Sequence, residues 1–173
     1  MDSDTLIEQI DQAPKALTKL MEELKVDDKP TFKKVLRGFP ESSIGSYGGD
    51  IGVCYLKKIN FESDLDETSL PESLDITLGM ICKGTKTTVH DKIVKLNLNV
   101  LQKFLEKREW FTLNGNVEST VIQDHEIYIE QTKKSLLTTS VFELKCNLEY
   151  LELENNMDAK DISYGDNLIS FDD

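Results

Sequence analysis

Hydrophobic positions near the N-terminus recur at three- and four-residue spacing: Leu6, Ile7, Ile10, Leu17, Leu20, Met21 and Leu24. That period predicts a helix over residues 4–26 with one apolar stripe. Asp4 is placed to cap its start, and Glu8 falls in the first turn, where the helix dipole favours a carboxylate. Pro14 lies inside the stripe. It has no N–H and its ring crowds the preceding turn, a cost of about 3 kcal/mol in a helix interior. The expectation is therefore a break near Gln12 or Ala13, with Pro14 opening a second helix. Asp27 to Pro30 reads as a turn. Phe32, Val35, Phe39 and the closing Pro40 suggest an extended stretch or short strand, and the glycines and serines of 41–50 an exposed loop.

The period then changes. Ile51 to Phe61 is rich in β-branched and aromatic residues and predicts a strand. Residues 62–72 form an acidic loop containing Pro71. In 74–83, Leu74, Ile76, Leu78 and Met80 alternate with Asp75, Thr77 and Gly79, the pattern of a half-buried strand. Gly84 and Thr85 turn the chain. Thr88, with Asp91 three residues on, resembles a capping box for a helix from Val89 to about Lys107. Ile93, Leu96, Val100, Leu101, Phe104 and Leu105 share one face of it, and Lys107 and Arg108 suit the negative end of its dipole. Trp110, Phe111 and Leu113 precede Asn114-Gly115, a strong turn signal because both residues tolerate positive φ. Strand material follows at 117–124 and 126–131, a turn at 132–135 and a long alternating strand at 137–153. The fold class this order predicts is α+β, a mostly antiparallel sheet packed by an N-terminal helix and one central amphipathic helix. One domain spans 1–153, followed by an acidic C-terminal tail at 154–173.

Charge narrows the partners. The 173 residues carry 20 Lys and Arg against 32 Asp and Glu, a formal net charge of −12. Such a chain is repelled by nucleic acid and by anionic membranes. The acidic start MDSDTLIEQI lacks the apolar core of a secretion signal, and no apolar run approaches the ~20 residues that span a bilayer. Cys54, Cys82 and Cys146 sit among apolar residues at long spacings, which suits small buried hydrophobes in a reducing compartment.

Few residues are placed for chemistry. His90 and His125 have no partner at metal-ligand spacing, and His125 reads as part of a surface loop between two strand runs. The glycine-rich stretch 45–49 is followed by neither the helix nor the lysine of a phosphate-binding loop. The expectation is no catalytic site, no cofactor and no metal. Two charged clusters stand out instead. Lys33, Lys34 and Arg37, flanked by Phe32 and Phe39, are either a docking surface for an acidic partner or a solvated sheet edge that deters strand pairing. Asp64, Asp66 and Glu67, with Glu72, have the opposite sign, and contact between neighbouring copies would bring the two clusters together.

The segment Thr112-Leu113-Asn114-Gly115-Asn116-Val117, after a helix ending in aromatics and before two closing strands, resembles the tail terminator (tail completion) proteins of long-tailed bacterial and archaeal viruses. The resemblance covers roughly residues 4–153, and the 62–73 loop and the acidic tail depart from it. It implies a ring-forming subunit, six to a ring. The ring would cap the tail tube, end its polymerisation and join the head. Its partners would be further copies of itself, the tail tube protein and the head–tail connector protein, and it would belong to the virion, assembled in the host cytoplasm. DNA would pass through an acidic lumen without specific binding. Neighbouring copies would bury sheet edges and the aromatic segment at Trp110 and Phe111. The competing readings are a related neck connector or tail tube protein and a cellular acidic adaptor.

Overall fold

The computed structural model describes residues 3–38, 49–61, 71–131 and 136–148. Helix α1 spans Ser3–Glu22 and runs through Pro14 without a break, contrary to the expectation of two pieces. Burial explains the tolerance. Ala13, Leu17 and Met21 are fully buried, and Leu20 and Leu24 nearly so. Each large side chain removed from water stabilises by ~1.5–3 kcal/mol, which together outweighs one internal proline. The Pro14 carbonyl accepts the Thr18 hydroxyl at 2.8 Å and the Cys54 thiol at 3.6 Å, tying it to the sheet. The helix ends at Glu22 rather than at Val26, because β1 (Lys25–Val26) and β2 (Lys29–Pro30) form a small hairpin there. Its turn residues Asp27 and Asp28 both have positive φ, 51° and 60°, as a two-residue hairpin turn of the primed type demands.

Among the described residues the main sheet has five strands in the order β3-β4-β5-β7-β6, where β3 is Lys34–Arg37, β4 Ile51–Phe61, β5 Pro71–Gly84, β6 Ser119–Gln131 and β7 Leu136–Asn147. Only β3–β4 is parallel; the other pairs are antiparallel. The predicted α+β class is thus the observed one. Strand β5 starts at Pro71, inside the segment read as a loop, and it is more than half-buried. Thr77, Gly79 and Ile81 are buried as well as their neighbours. The alternation underestimated this because Thr and Gly look polar while β5 is the central strand. On its second face Ile51, Val53 and Ile81 form a small cluster with Leu36, Tyr55 and Leu137.

Helix α2 is Lys86–Glu106 and α3 is Arg108–Phe111. The N-cap of α2 is Thr85, three residues before the predicted Thr88. Thr88 is instead its capping-box partner: Thr88 Oγ1 accepts the Thr85 N–H at 3.2 Å and the two hydroxyls hydrogen-bond at 2.8 Å. Val89, Ile93, Leu96, Val100 and Phe104 are buried, but Leu105, assigned to the same face, is 86% exposed. The predicted strands at 117–124 and 126–131 are one strand with a bulge between Ile122 and Asp124. Helix α1 packs on β3 and β4, and α2 on β5 and β7. Met21 against Gly52, and Asn97 bonded to Ser140, place both helices on one face of the sheet. The predicted loop at 41–48, the 62–70 segment, the 132–135 turn, residues 149–153 and the acidic tail lie outside the described residues.

Candidate interaction surface

The basic cluster falls on the sheet's outer strand. Strand β3 is the first of the five, and Lys33, Lys34 and Arg37 are exposed along it. Arg37 bonds Asp11 of α1 at 2.7 Å, and Lys15 pairs with the same carboxylate. Hydrogen bonds from Lys15 and then Arg37 hold the Asp11 carboxyl below its ordinary value. Phe32, by contrast, is buried at 8% exposure as part of the main core. Phe39, Asp64, Asp66 and Glu67 lie outside the described residues.

The aromatic segment divides in the same way. Trp110 is 5% exposed and meets Phe104 edge-to-face at 5.2 Å, closing the end of the core. Phe111, one residue on, is 42% exposed. Both orientations follow from the short helix α3, which turns successive side chains by about 100°. The following turn is tightly built. Leu113, Asn114 and Gly115 have φ of 45°, 59° and 82°, Leu113 is fully buried, and Asn116 Nδ2 donates to the Leu113 carbonyl at 2.6 Å. Thr112–Val117 therefore acts as a structural corner leading into β6.

Strand β6 is the surface the sequence reading missed. It is the other outer strand, and all of Gln123 to Glu130 is exposed. Val121, Ile127, Tyr128 and Ile129 put large apolar groups into solvent there. The sequence identifies strand material here, with Ile127 and Ile129 alternating with Glu126, Tyr128 and Glu130, but alternation does not tell whether anything covers the apolar face. A usable signal was present: Glu118, Asp124, Glu126 and Glu130 carry four negative charges in 117–131, with no Lys or Arg.

His125 stands on this strand, not in a loop. Its ring stacks on Phe142 at 4.2 Å and its Nε2 lies 2.8 Å from Ser140 Oγ, which donates to Asn97 Oδ1 at 2.7 Å. The serine proton therefore points at the amide, away from the imidazole, whereas a nucleophile must give its proton to its base. Ser140 is also completely buried. Burial pushes the thiols of Cys54, Cys82 and Cys146 up to about 12, far from a reactive thiolate. A groove of about 600 Å³ between α1 and β4 is lined by Ile10, Pro14, Cys54, Leu56 and Ile59, with the Arg37–Asp11 pair at its rim. Among the described residues no group of three or more His, Cys, Asp or Glu could hold a metal ion, and no helix is long and apolar enough to cross a membrane. The chain matches no protein-family model and no curated protein.

Proposed function

We propose that this chain is a structural virion protein, a tail terminator that assembles as a ring on the end of a tail tube, stops its growth and presents the surface that joins the head. One observation carries the reading: among the described residues β6 is a 13-residue outer strand with exposed apolar side chains. Such an edge is an aggregation hazard unless another chain covers it. The resemblance around Thr112–Val117 supplies the kind of assembly. The net charge of −12 suits a subunit whose lumen must let DNA pass without holding its phosphates. Its partners on this reading are further copies of itself, the tail tube protein and the head–tail connector, with no membrane and no enzymatic step. The ring would contain six copies, assembled in the host cytoplasm and retained in the virion.

Electron microscopy of purified tail tubes incubated with the chain tests this. A single ring at one end of each tube, with tube lengthening halted, is the expected result. Absence of binding to tubes, or recovery of one cellular protein as the sole partner, overturns it. Long tubes formed by the chain alone would identify a tube subunit instead.

A further inference from the structure

The two outer strands of the sheet carry opposite charge. Strand β3 and the residue before it hold Lys33, Lys34 and Arg37 and no carboxylate; β6 holds Asp124, Glu126 and Glu130 and no Lys or Arg. In a chain of net charge −12 a wholly basic edge is a local exception, and it lies at the opposite end of the sheet from the wholly acidic one. Among the described residues no strand pairs with the outer side of either.

The registers give the edges a common height. Lys34 pairs with Ile51, Ile51 with Ile81, Ile81 with Thr139 and Thr139 with Tyr128; Arg37 connects likewise through Cys54, Leu78 and Phe142 to His125. Strand β3 therefore stands level with Tyr128 to His125 of β6. Counting the pair directions across the sheet, β3 and β6 run opposite ways. The next copy, continuing the sheet by one strand step, would lay its β3 antiparallel against β6. Lys34 would face Tyr128, with Glu126 and Glu130 as its diagonal neighbours on the same face, within reach of a long side chain.

The helix layer has a matching gap. Val94, Leu98, Leu101 and Leu105 follow one another at spacings of four, three and four, a single stripe on α2. Leu98 is 62% exposed. The stripe lies on the β6 side of α2, because Asn97 reaches Ser140 beside β6 while Asn99, on the other flank, bonds Lys25 beside α1. The stripe and the exposed Ile127 and Ile129, which share the helix face, leave room for one more helix. In the next copy α1 covers β3 and β4, and so arrives there.

The geometry points to a head-to-tail contact between copies of this chain. The acidic β6 edge and the α2 stripe of one copy receive the basic β3 edge and α1 of the next. This deepens the ring reading and rests on it for its purpose, although the contact itself stands on the sheet edges and the exposed α2 stripe. A two-fold pairing of β6 with β6 would instead gather Asp124, Glu126 and Glu130 of both copies on one face, which like-charge repulsion opposes. A head-to-tail contact repeats indefinitely or closes into a ring, according to the rotation it imposes.

Light scattering on the full chain at rising concentration in low salt tests this, with urea melts confirming that each variant is folded. The variants reverse exposed charges only: Lys33→Glu/Lys34→Glu on one edge and Glu126→Lys/Glu130→Lys on the other. Each pair alone should weaken self-association roughly tenfold. A chain carrying both pairs, and an equimolar mixture of the two edge variants, should recover it. Wild-type-like assembly of Lys33→Glu/Lys34→Glu, or a wild-type chain monomeric at every concentration, overturns the contact. Tail-tube capping by the same variants separates the two readings. Capping that survives each edge reversal made alone removes this contact and leaves the terminator reading intact. Charge-dependent assembly without capping does the reverse.

Discussion

Ser140 Oγ donates a 2.7 Å hydrogen bond to Asn97 Oδ1, joining the middle of α2 to the strand beneath it. Both groups are buried, in a largely apolar core. Because the serine's only proton goes to Asn97, His125 must present Nε2–H to the serine oxygen. The chain of three thus needs a fixed tautomer. Nitrogen-15 NMR of the imidazole should find the proton on Nε2. Ser140→Ala strands the buried amide of Asn97 and should cost about 1–3 kcal/mol in urea unfolding. Adding Asn97→Leu should return part of that loss, since it removes the unpaired group.

Trp110 and Phe111 are neighbours with opposite fates, and they separate stability from association. Trp110→Ala empties a packed site against Phe104 and should cost about 3–5 kcal/mol. Phe111→Ala alters an exposed side chain and should stay within about 0.5 kcal/mol of wild type. Trp110 is the only tryptophan, so its fluorescence reports the outcome directly: blue-shifted emission in the folded chain, with a red shift on unfolding.

Much of this architecture was legible in the residues, and the misses share a cause. Element type followed periodicity wherever local pattern and tertiary environment agreed, as in Ile51–Phe61 and the core face of α2. It failed where the environment overrode the pattern. Pro14 was read by its intrinsic cost, but the sheet beneath α1 supplies enough burial to keep the helix whole. Thr77 and Gly79 were read as solvent-facing, but strands on both sides make β5 central. For the surface, the basic cluster of Lys33, Lys34 and Arg37 was visible as charge, and its position on a sheet edge was one of two readings. Phe32 and Trp110 could not be told from exposed anchors, because an aromatic beside a charged run fits either a core margin or an interface. The β6 edge was invisible, since strand order is not a local property of sequence.

Leu98 and Leu105 form the most exposed part of the α2 stripe. Leu98→Lys/Leu105→Lys should leave the urea midpoint nearly unchanged, because neither side chain contributes to the subunit core. Self-association measured by light scattering should fall, since a charge would then occupy the slot opposite α1 of the next copy. A large loss of stability would mean that the stripe is already covered within the subunit.

Gly84 closes β5 one residue before the α2 cap. A Cβ added there would lie 2.5 Å from Val89 Cγ2 and 3.1 Å from Thr88 Oγ1. Val89 is β-branched, held in one rotamer by its helix and 2% exposed, so it cannot move aside. Gly84→Ala should therefore cost about 1–3 kcal/mol through overpacking. Adding Val89→Ala should relieve the clash, so that the double variant loses less than the sum of the single ones. Thermal unfolding of the three variants checks this.

The thiols give the fold a built-in alkaline limit. Cys54, Cys82 and Cys146 are buried and free, and burial pushes each up to about 12. In the unfolded chain they ionise near 8.5, so between about pH 9 and pH 12 the unfolded state carries fewer protons. Stability supplied by the neutral thiols is complete below the unfolded value and is lost as pH rises through the folded one. Each thiol contributes a slope of ~1.4 kcal/mol per pH unit in that window. A domain of ordinary stability, about 5–15 kcal/mol, should accordingly unfold within it. Urea melts at stepped pH should show a midpoint that is flat to about pH 8 and then falls. Replacing Cys82 with Ala should lower the starting stability, because it leaves a cavity, yet make the alkaline slope shallower. At pH 8 a thiol reagent should label the folded chain slowly and the urea-unfolded chain at all three cysteines. Rapid labelling of the folded chain, or an unchanged slope in the Cys82 variant, would show that these thiols ionise without unfolding.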